Sequence, residues 1–343
     1  MTGTDAKISS LALAALVILA AACAHTDPYT KETFVMGTKA WVTIAGMREP
    51  EAERAADAAF RELYRIESVM SNWRSTSEIS RLNAGSNGAP FRVSPELYAI
   101  IDSSLFYARA TAGVFDVTVR PLVVLWGFEG GEAKKIPTDE EIAQAMSHVG
   151  YEKVVLDRAK STVTLQPGMQ IDLAGVAKGY AVDRCVAVLR RLGVRDALVN
   201  LGGNIFAMGS APGEQGWKIG IRDPKGGVET VGSIRLRDQA VATSGNYENF
   251  VTVEGKRWGH LIDPRTGRPS SAVLSATVVA PTGLASDALS KLFILGPDAA
   301  REAVARLPGV AAVFAVPDGG GISYRTAGDM GGRLQLDGAS TAR

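Results

Sequence analysis

Lys178 lies within Asp172-Leu-Ala-Gly-Val-Ala-Lys-Gly-Tyr-Ala-Val-Asp183, directly after an apolar stretch ending at Ile171. A strand, a glycine-bearing turn and a helix start in that order aim backbone N–H groups and an ammonium at one spot, which suits a phosphate. The run has neither the GxxxxGK[ST] spacing of a Walker loop nor GxGxxG, so a nicotinamide Rossmann site loses its main support. An ordinary helix start with a solvated lysine is the blander reading. Asn200-Leu-Gly-Gly-Asn204 ends the next apolar strand. Its paired glycines either admit a ligand close to the backbone or close a tight turn. His260 opens His-Leu-Ile-Asp-Pro-Arg-Thr-Gly-Arg-Pro269 and is one of 3 histidines in the chain. Its Asp-Pro and Thr-Gly turns make a fixed mount for a proton acceptor, although a purely structural imidazole also fits. Asp287, Ser290 and Lys291 sit at i, i+3 and i+4 of a helical pattern. An oxygen-bearing face of that kind suits Mg²⁺, and an Asp–Lys pair at that spacing also suits a surface salt bridge.

Composition narrows the chemistry further. Lys plus Arg number 37 against 36 Asp plus Glu, for a net charge of +1, so no basic field exists to grip nucleic acid. With 2 cysteines and 3 histidines a Cys/His zinc cage is excluded, and any metal must be held largely by oxygen.

Several elements must position these groups. Phe34 to Ala45 alternates as a strand, and a helix runs from Pro50 to about Met70. Ser94-Pro95-Glu96 starts a second helix, and Thr138 with Glu141 makes a capping box for a third. A strand pair spans Lys153 to Leu165, a helix runs from about Ala174 to Leu192, and a strand from Ala197 to Leu201. The chain then turns β-rich through Ile262, with a hairpin turn at Glu254 to Arg257, before strand, two helices and strand from Leu274 to Ala315. No linker divides the body. The pattern predicts one continuous domain over 34–325, of two lobes packed across a cleft, with a disordered tail at 326–343.

Residues 1–22 read as a signal peptide, with Lys7 ahead of an unbroken apolar run from Leu11 to Ala22. Ala20-Ala-Ala-Cys23 reads as a lipoprotein cleavage box in which Cys23 is acylated, leaving 23–33 as a lipid-anchored linker. Plain cleavage after Ala22 or Ala24 is the alternative. Cys185 sits in an apolar helical stretch and reads as a packing residue.

Taken together, the segments resemble the ApbE family of flavin transferases from about Phe34 to Pro297. The runs that carry the likeness are Met36-Gly-Thr38, Met70-Ser-Asn-Trp73 with Ser77-Glu-Ile-Ser-Arg-Leu-Asn83, Gly113-Val-Phe-Asp-Val-Thr118 and Leu125-Trp-Gly-Phe128. They continue through the Asp172, Asn200 and His260 segments, Ala242-Thr-Ser-Gly-Asn-Tyr247 and Asp287-Ala-Leu-Ser290. The resemblance implies a T-fold-like α/β (α+β) architecture, FAD as substrate, Mg²⁺ as cofactor, and transfer of FMN to a Ser or Thr hydroxyl of a target flavoprotein with release of AMP. By motif position Met36, Trp73, Val114, Phe115, Asp116, Asp172, Lys178, His260 and Ile262 would line the FAD site. The Gly175 carbonyl, Asp287, Ser290 and the position of Lys291 would face the metal. Lys178 with Mg²⁺ would neutralise the pyrophosphate, and His260 would accept the hydroxyl proton.

Two positions depart from the family pattern. Trp73 stands where Tyr is common, which keeps stacking area and changes hydrogen bonding. Lys291 stands where Thr is typical, and an ammonium does not ligate Mg²⁺. It either swings to solvent or takes part of the metal's electrostatic role, so altered Mg²⁺ dependence is expected. The family also implies an acceptor of redox-pump or respiratory type, on the periplasmic side of a bacterial envelope. An FAD pyrophosphatase giving FMN and AMP, and a non-catalytic exported FAD-binding lipoprotein, are rival uses of the same cleft.

Overall fold

The computed structural model describes residues 27–128, 135–225, 227, 229–245, 250–253, 256–270, 273–337 and 341–342. The expected leader, Cys23, Asn246, Tyr247 and the turn at 254–255 lie outside the described residues. In chain order the elements begin with β1 (Tyr29–Val35), β2 (Thr38–Ala45), α1 (Glu49–Met70), α2 (Glu78–Ala84), β3 (Pro90–Arg92), α3 (Pro95–Ala110), α4 (Arg120–Leu125) and α5 (Asp139–Ser147). They continue with β4 (Val155–Asp157), β5 (Thr162–Thr164), α6 (Ala177–Arg191), β6 (Asp196–Leu201), β7 (Asn204–Met208), β8 (Trp217–Arg222), β9 (Thr230–Leu236), β10 (Gln239–Gly245), β11 (Phe250–Val253) and β12 (Lys256–Gly259). The last are β13 (Ile262–Asp263), β14 (Arg268–Pro269), β15 (Ser275–Ala280), α7 (Gly283–Leu295), α8 (Pro297–Ala305), β16 (Ala311–Asp318), β17 (Gly321–Ala327), β18 (Leu334–Leu336) and β19 (Thr341–Ala342).

The main sheet has nine strands in the order β1-β2-β6-β7-β10-β15-β16-β17-β19, so its spatial order follows the chain. Every pairing is antiparallel except the last, β17 with β19. The sheet is thus a meander, and the long insertions between neighbouring strands carry the helices and the site. An α+β organisation results, with helices on one face of an antiparallel sheet.

Alternation decides which face each side chain serves. Val278 joins the core beneath the helices while its neighbour Val279 joins a cluster with Trp217, Ile219, Ile234 and Leu236 of the small sheet β18-β9-β8. Every residue of β15 is buried, as a strand covered on both faces requires. On the helical face α1 buries Ala52, Ala56, Ala59, Leu63, Ile66 and Met70, a stripe at helical spacing.

The caps expected from sequence form. Ser94 Oγ accepts from Leu97 N–H at 3.2 Å, and Thr138 and Glu141 make a reciprocal capping box. Some boundaries differ. The single strand expected from Phe34 is a hairpin that turns at Met36 and Gly37, with φ of 52° and 72°, so residues assigned to the linker from Tyr29 onward pair in β1. Helix α6 starts at Ala177, not Ala174, because Asp172 Oδ1 holds the Ala174 N–H at 2.8 Å in a turn. Within the segment expected to be a disordered tail, Leu334–Leu336 pairs with Ile234, Ser233 and Gly232 and buries apolar surface on the small sheet.

Candidate functional site

A cleft of ≈ 860 Å³ opens between the ends of the main-sheet strands and the inserted helical lobe. Two hairpin turns form one wall. Met36 and Gly37 join β1 to β2, and Gly202 and Gly203, with φ of 56° and 86°, join β6 to β7. Only glycine takes these backbone angles without strain, and Asn200 Oδ1 fixes the second turn through the Gly203 N–H at 2.9 Å. Met36 is a non-glycine residue at positive φ, held there by Glu67 Oε1 on its N–H at 2.9 Å. A strained residue kept in place at a cleft edge is a mark of function.

The lining continues with Asn72, Trp73, Phe115, Asp172 and Lys178, and with His260, Leu261 and Ile262. Trp73 is 69% exposed at the rim, so its ring face is open for stacking. Lys178, in the first turn of α6, faces the cleft and forms no ion pair among the described residues. Asn204 is 4% exposed and its Oδ1 has no hydrogen-bond partner among the described residues. A buried acceptor left open at a cleft wall fits a ligand N–H or O–H. Volume, stacking area, a free ammonium and an open acceptor together suit a dinucleotide such as FAD.

Not every sequence-assigned residue reaches the cleft through its side-chain chemistry. Val114 is 3% exposed, belongs to the core and does not line the cleft, whereas its neighbour Phe115, also in the core, does. Asp116 lines the cleft, but its Oδ1 accepts from Thr118 N–H and Oγ1, both at 2.7 Å, and its Oδ2 from Tyr151 N–H at 2.9 Å. It is a backbone clamp. Desolvation raises its carboxyl above the ordinary range, against those hydrogen bonds. Desolvation likewise raises Asp172, against Ala174 N–H at 2.8 Å and Asn72 Nδ2 at 3.4 Å.

The Ser77 to Asn83 run proves to be architecture. Ser77 caps α2, and Asn83 grips both the N–H and the C=O of Ile171, at 2.7 and 2.9 Å, fixing the segment that delivers Asp172 and Lys178. Trp126 is fully buried and donates from Nε1 to the Gly267 carbonyl at 2.8 Å, pinning the loop that carries His260. Asp263 holds Arg265 through its N–H and Nε, both at 2.9 Å, and its Nη2 at 2.6 Å, so it braces that loop.

The expected metal position has a different arrangement. Asp287 is 0% exposed, with Oδ2 accepting from Gly179 N–H at 2.9 Å and Oδ1 paired to the Lys291 ammonium. Ser290 Oγ shares a hydrogen bond with Ser244 Oγ at 2.7 Å and donates to the Asp287 carbonyl at 2.8 Å. Gly175 and Lys291 line the cleft, whereas Asp287 and Ser290 lie beneath its surface. Among the described residues no group of three or more His, Cys, Asp or Glu is placed to hold a metal ion. Of the donors that the resemblance assigned to Mg²⁺, Asp287 and Ser290 are thus engaged with neighbouring groups, and as arranged these two do not fit the ion.

Sequence reasoning did not assign Asn72, Asn204, Thr243 or Ser244 to the site, although all four line the cleft. Asn204 adjoins the double glycine, and a polar residue immediately after such a turn was the available signal.

Comparison with known proteins agrees with this geometry. The model of the ApbE family matches residues 36–314. A Treponema pallidum protein named FAD:protein FMN transferase is 35% identical over 313 residues, covering 86% of each chain. The Escherichia coli K12 protein of the same name is 31% identical over 289 residues, covering 82% of each. Among solved structures, the ApbE protein of Thermotoga maritima superposes with a TM-score of 0.79 at 33% identity, covering 87% of this chain and 96% of its own. The apo flavinyl transferase ApbE of Pseudomonas stutzeri gives 0.79 at 27% identity, covering 89% and 96%.

Proposed function

The chain belongs to the ApbE family and is a flavin transferase of that family; we propose that it moves the FMN moiety of FAD onto a Ser or Thr hydroxyl of a partner flavoprotein and releases AMP. The observation that carries the proposal is the convergence on one cleft of the Trp73 ring, the Lys178 ammonium, the His260 imidazole and the open Asn204 acceptor. In the reaction the acceptor oxygen attacks the phosphorus on the FMN side of the anhydride, and the P–O bond to AMP breaks. Lys178 balances anhydride charge and steadies the departing phosphate. His260 accepts the hydroxyl proton as the new phosphoester forms. Trp73 and Met36 hold the flavin by stacking and thioether contact. Mg²⁺, implied by the resemblance, enters none of these steps, because Asp287 is already closed by Lys291.

The proposal includes a setting. The apolar run ending at Cys23 supports a lipid-anchored enzyme on the periplasmic side of a bacterial envelope, acting on flavoprotein subunits of redox-pump or respiratory type. Replacing Cys23 by Ser should move the protein out of the membrane fraction. The decisive assay mixes the protein with FAD and a candidate flavoprotein and looks for a fluorescent acceptor band on a denaturing gel. With an acceptor that a known flavin transferase labels, FMN and AMP without a labelled band would mean hydrolysis and end the transfer reading. His260→Ala should lower transfer by about 10²- to 10⁴-fold while keeping FAD binding. Near-normal transfer by that variant would remove His260 as the base.

A further inference from the structure

The position expected to hold a divalent ion already carries a positive charge of its own. Lys291 lies one helical turn after Asp287 on α7, and its Nζ pairs with Asp287 Oδ1. The Lys291 side chain is 13% exposed and faces the cleft, whereas the Asp287 side chain beneath it is 0% exposed. The lysine is a cover, and the carboxylate is its anchor.

Asp287 cannot easily turn away to recruit another partner. Helices α6 and α7 cross where Gly179 meets Gly283, so closely that a Cβ on Gly179 would lie 2.1 Å from the Gly283 carbonyl oxygen and 2.7 Å from Asp287 Cβ. The crossing brings the Gly179 N–H to Asp287 Oδ2 at 2.9 Å and leaves Oδ1 for the lysine. A fully buried carboxylate needs both partners, since an unpaired charge there carries the full desolvation cost. Ser290, which could have added an oxygen ligand, is bonded to Ser244 and to the Asp287 carbonyl. A divalent ion would have to displace an ammonium from a buried pair and, beyond the Gly175 carbonyl at the cleft wall, find its remaining ligands largely in water.

We propose that the Lys291 ammonium, seated on buried Asp287, is a built-in cation of this cleft, which contacts the pyrophosphate in place of a divalent metal and makes FAD binding and anhydride cleavage independent of Mg²⁺. The proposal rests on the transferase reading for the identity of the substrate. The Lys291–Asp287 pair is neutral as a whole, so Lys178 supplies the net charge and Lys291 supplies oriented N–H donors to the phosphate oxygens. Bond changes are those of the transfer already described, with no added reactant.

The test uses the full chain in detergent, stripped of metal, with FAD and metal binding read without acceptor protein and AMP release read with a flavoprotein that a known flavin transferase labels. FAD affinity is read by flavin fluorescence, AMP release by chromatography, and metal binding by the loss of the free Mn²⁺ signal in electron paramagnetic resonance. Wild type should bind FAD within about twofold of the same Kd in EDTA and in Mg²⁺, and should take up no stoichiometric Mn²⁺. Lys291→Thr should bind one Mn²⁺ per chain, displaced by Mg²⁺, and its FAD affinity should rise about tenfold or more on adding Mg²⁺. One tightly bound Mn²⁺ on wild type, or FAD binding or AMP release that EDTA abolishes, would overturn the proposal. The wild-type titrations decide this even if the variant fails to fold. Because binding is read without acceptor, a failure to flavinylate protein would count against transfer alone, and a metal requirement for FAD binding would count against Lys291 alone.

Discussion

Helix α6 treats charge in opposite ways on its two sides. Toward α7, Asp183 accepts the Gly283 N–H at 2.6 Å and the Leu284 N–H at 2.9 Å, and burial pushes its carboxyl up to about 6. Toward α1 and α3, Arg184 meets Glu62 at 3.0 Å, Tyr180 donates to Glu96 at 2.8 Å, and Arg65 links Glu62 and Glu96 at 2.9 and 2.5 Å. There hydrogen bonds from Arg65, then Arg184, pull Glu62 down to about 2. The side toward α7 uses carboxylates on backbone N–H groups to lock two helices beneath the cleft. The outer side uses side-chain ion pairs, partly in water, between residues that do not line the cleft. Position matters on the first side and charge neutralisation on the second, so the two should respond differently to substitution, pH and salt.

The largest effect is expected at the crossing itself. Gly179→Ala would drive a Cβ into the Gly283 carbonyl and Asp287, so the helices must separate, at a cost of about 3 kcal/mol in urea unfolding. The same shift would move Lys178 and Lys291, and FAD affinity should fall with stability. A variant as stable as wild type would mean that the crossing has slack and that the contrast between the two sides is overstated.

Asp183 offers a pH test of the same side. Burial holds its folded pKa above the ordinary carboxylate range, at about 6. A raised carboxyl contributes stability that is fully present below its unfolded pKa and is lost as pH climbs through the folded pKa. Its contribution to wild-type stability should therefore decline between about pH 4 and pH 6, by roughly 2–3 kcal/mol, and stay level above that. Asp183→Asn removes that titration, so the difference between the two unfolding curves should change across this window and be constant above pH 7. A difference that does not vary with pH would refute the assignment.

These expectations also mark what the sequence could and could not disclose. The spacing of Asp287 and Lys291 was legible, and so were the caps at Ser94 and Thr138, because i, i+3 and i+4 relations are local. The burial that turns an ordinary surface pair into a closed cation site was not, because it arises from the approach of α6, distant in sequence. The motif around Ser77 to Asn83 was visible as a likeness, yet its work is to hold Ile171, a contact across 88 residues. The turn at Met36 escaped notice because a methionine at positive φ breaks the local preference, and Glu67, which holds it, lies 31 residues away. Local chemistry was readable. Its placement depended on tertiary contacts.

The smallest effect is expected on the outer side of α6. Arg184 and Arg65 have side chains 36% and 43% exposed, so water and salt screen their pairs with Glu62 and Glu96. Arg184→Ala should therefore cost about 0.5–1 kcal/mol at low ionic strength, and the loss should shrink toward zero in 1 M salt. Glu62, whose folded pKa is depressed, contributes stability present above its ordinary, unfolded pKa and lost as pH falls toward about 2. Glu62→Gln should consequently matter at pH 7 and cease to matter near pH 2, the reverse of the direction at Asp183. Its effect on FAD affinity should be nil, since neither Glu62 nor Arg184 lines the cleft. A large salt-resistant loss, or weakened FAD binding, would show that both sides of α6 position the site and would dissolve the distinction between them.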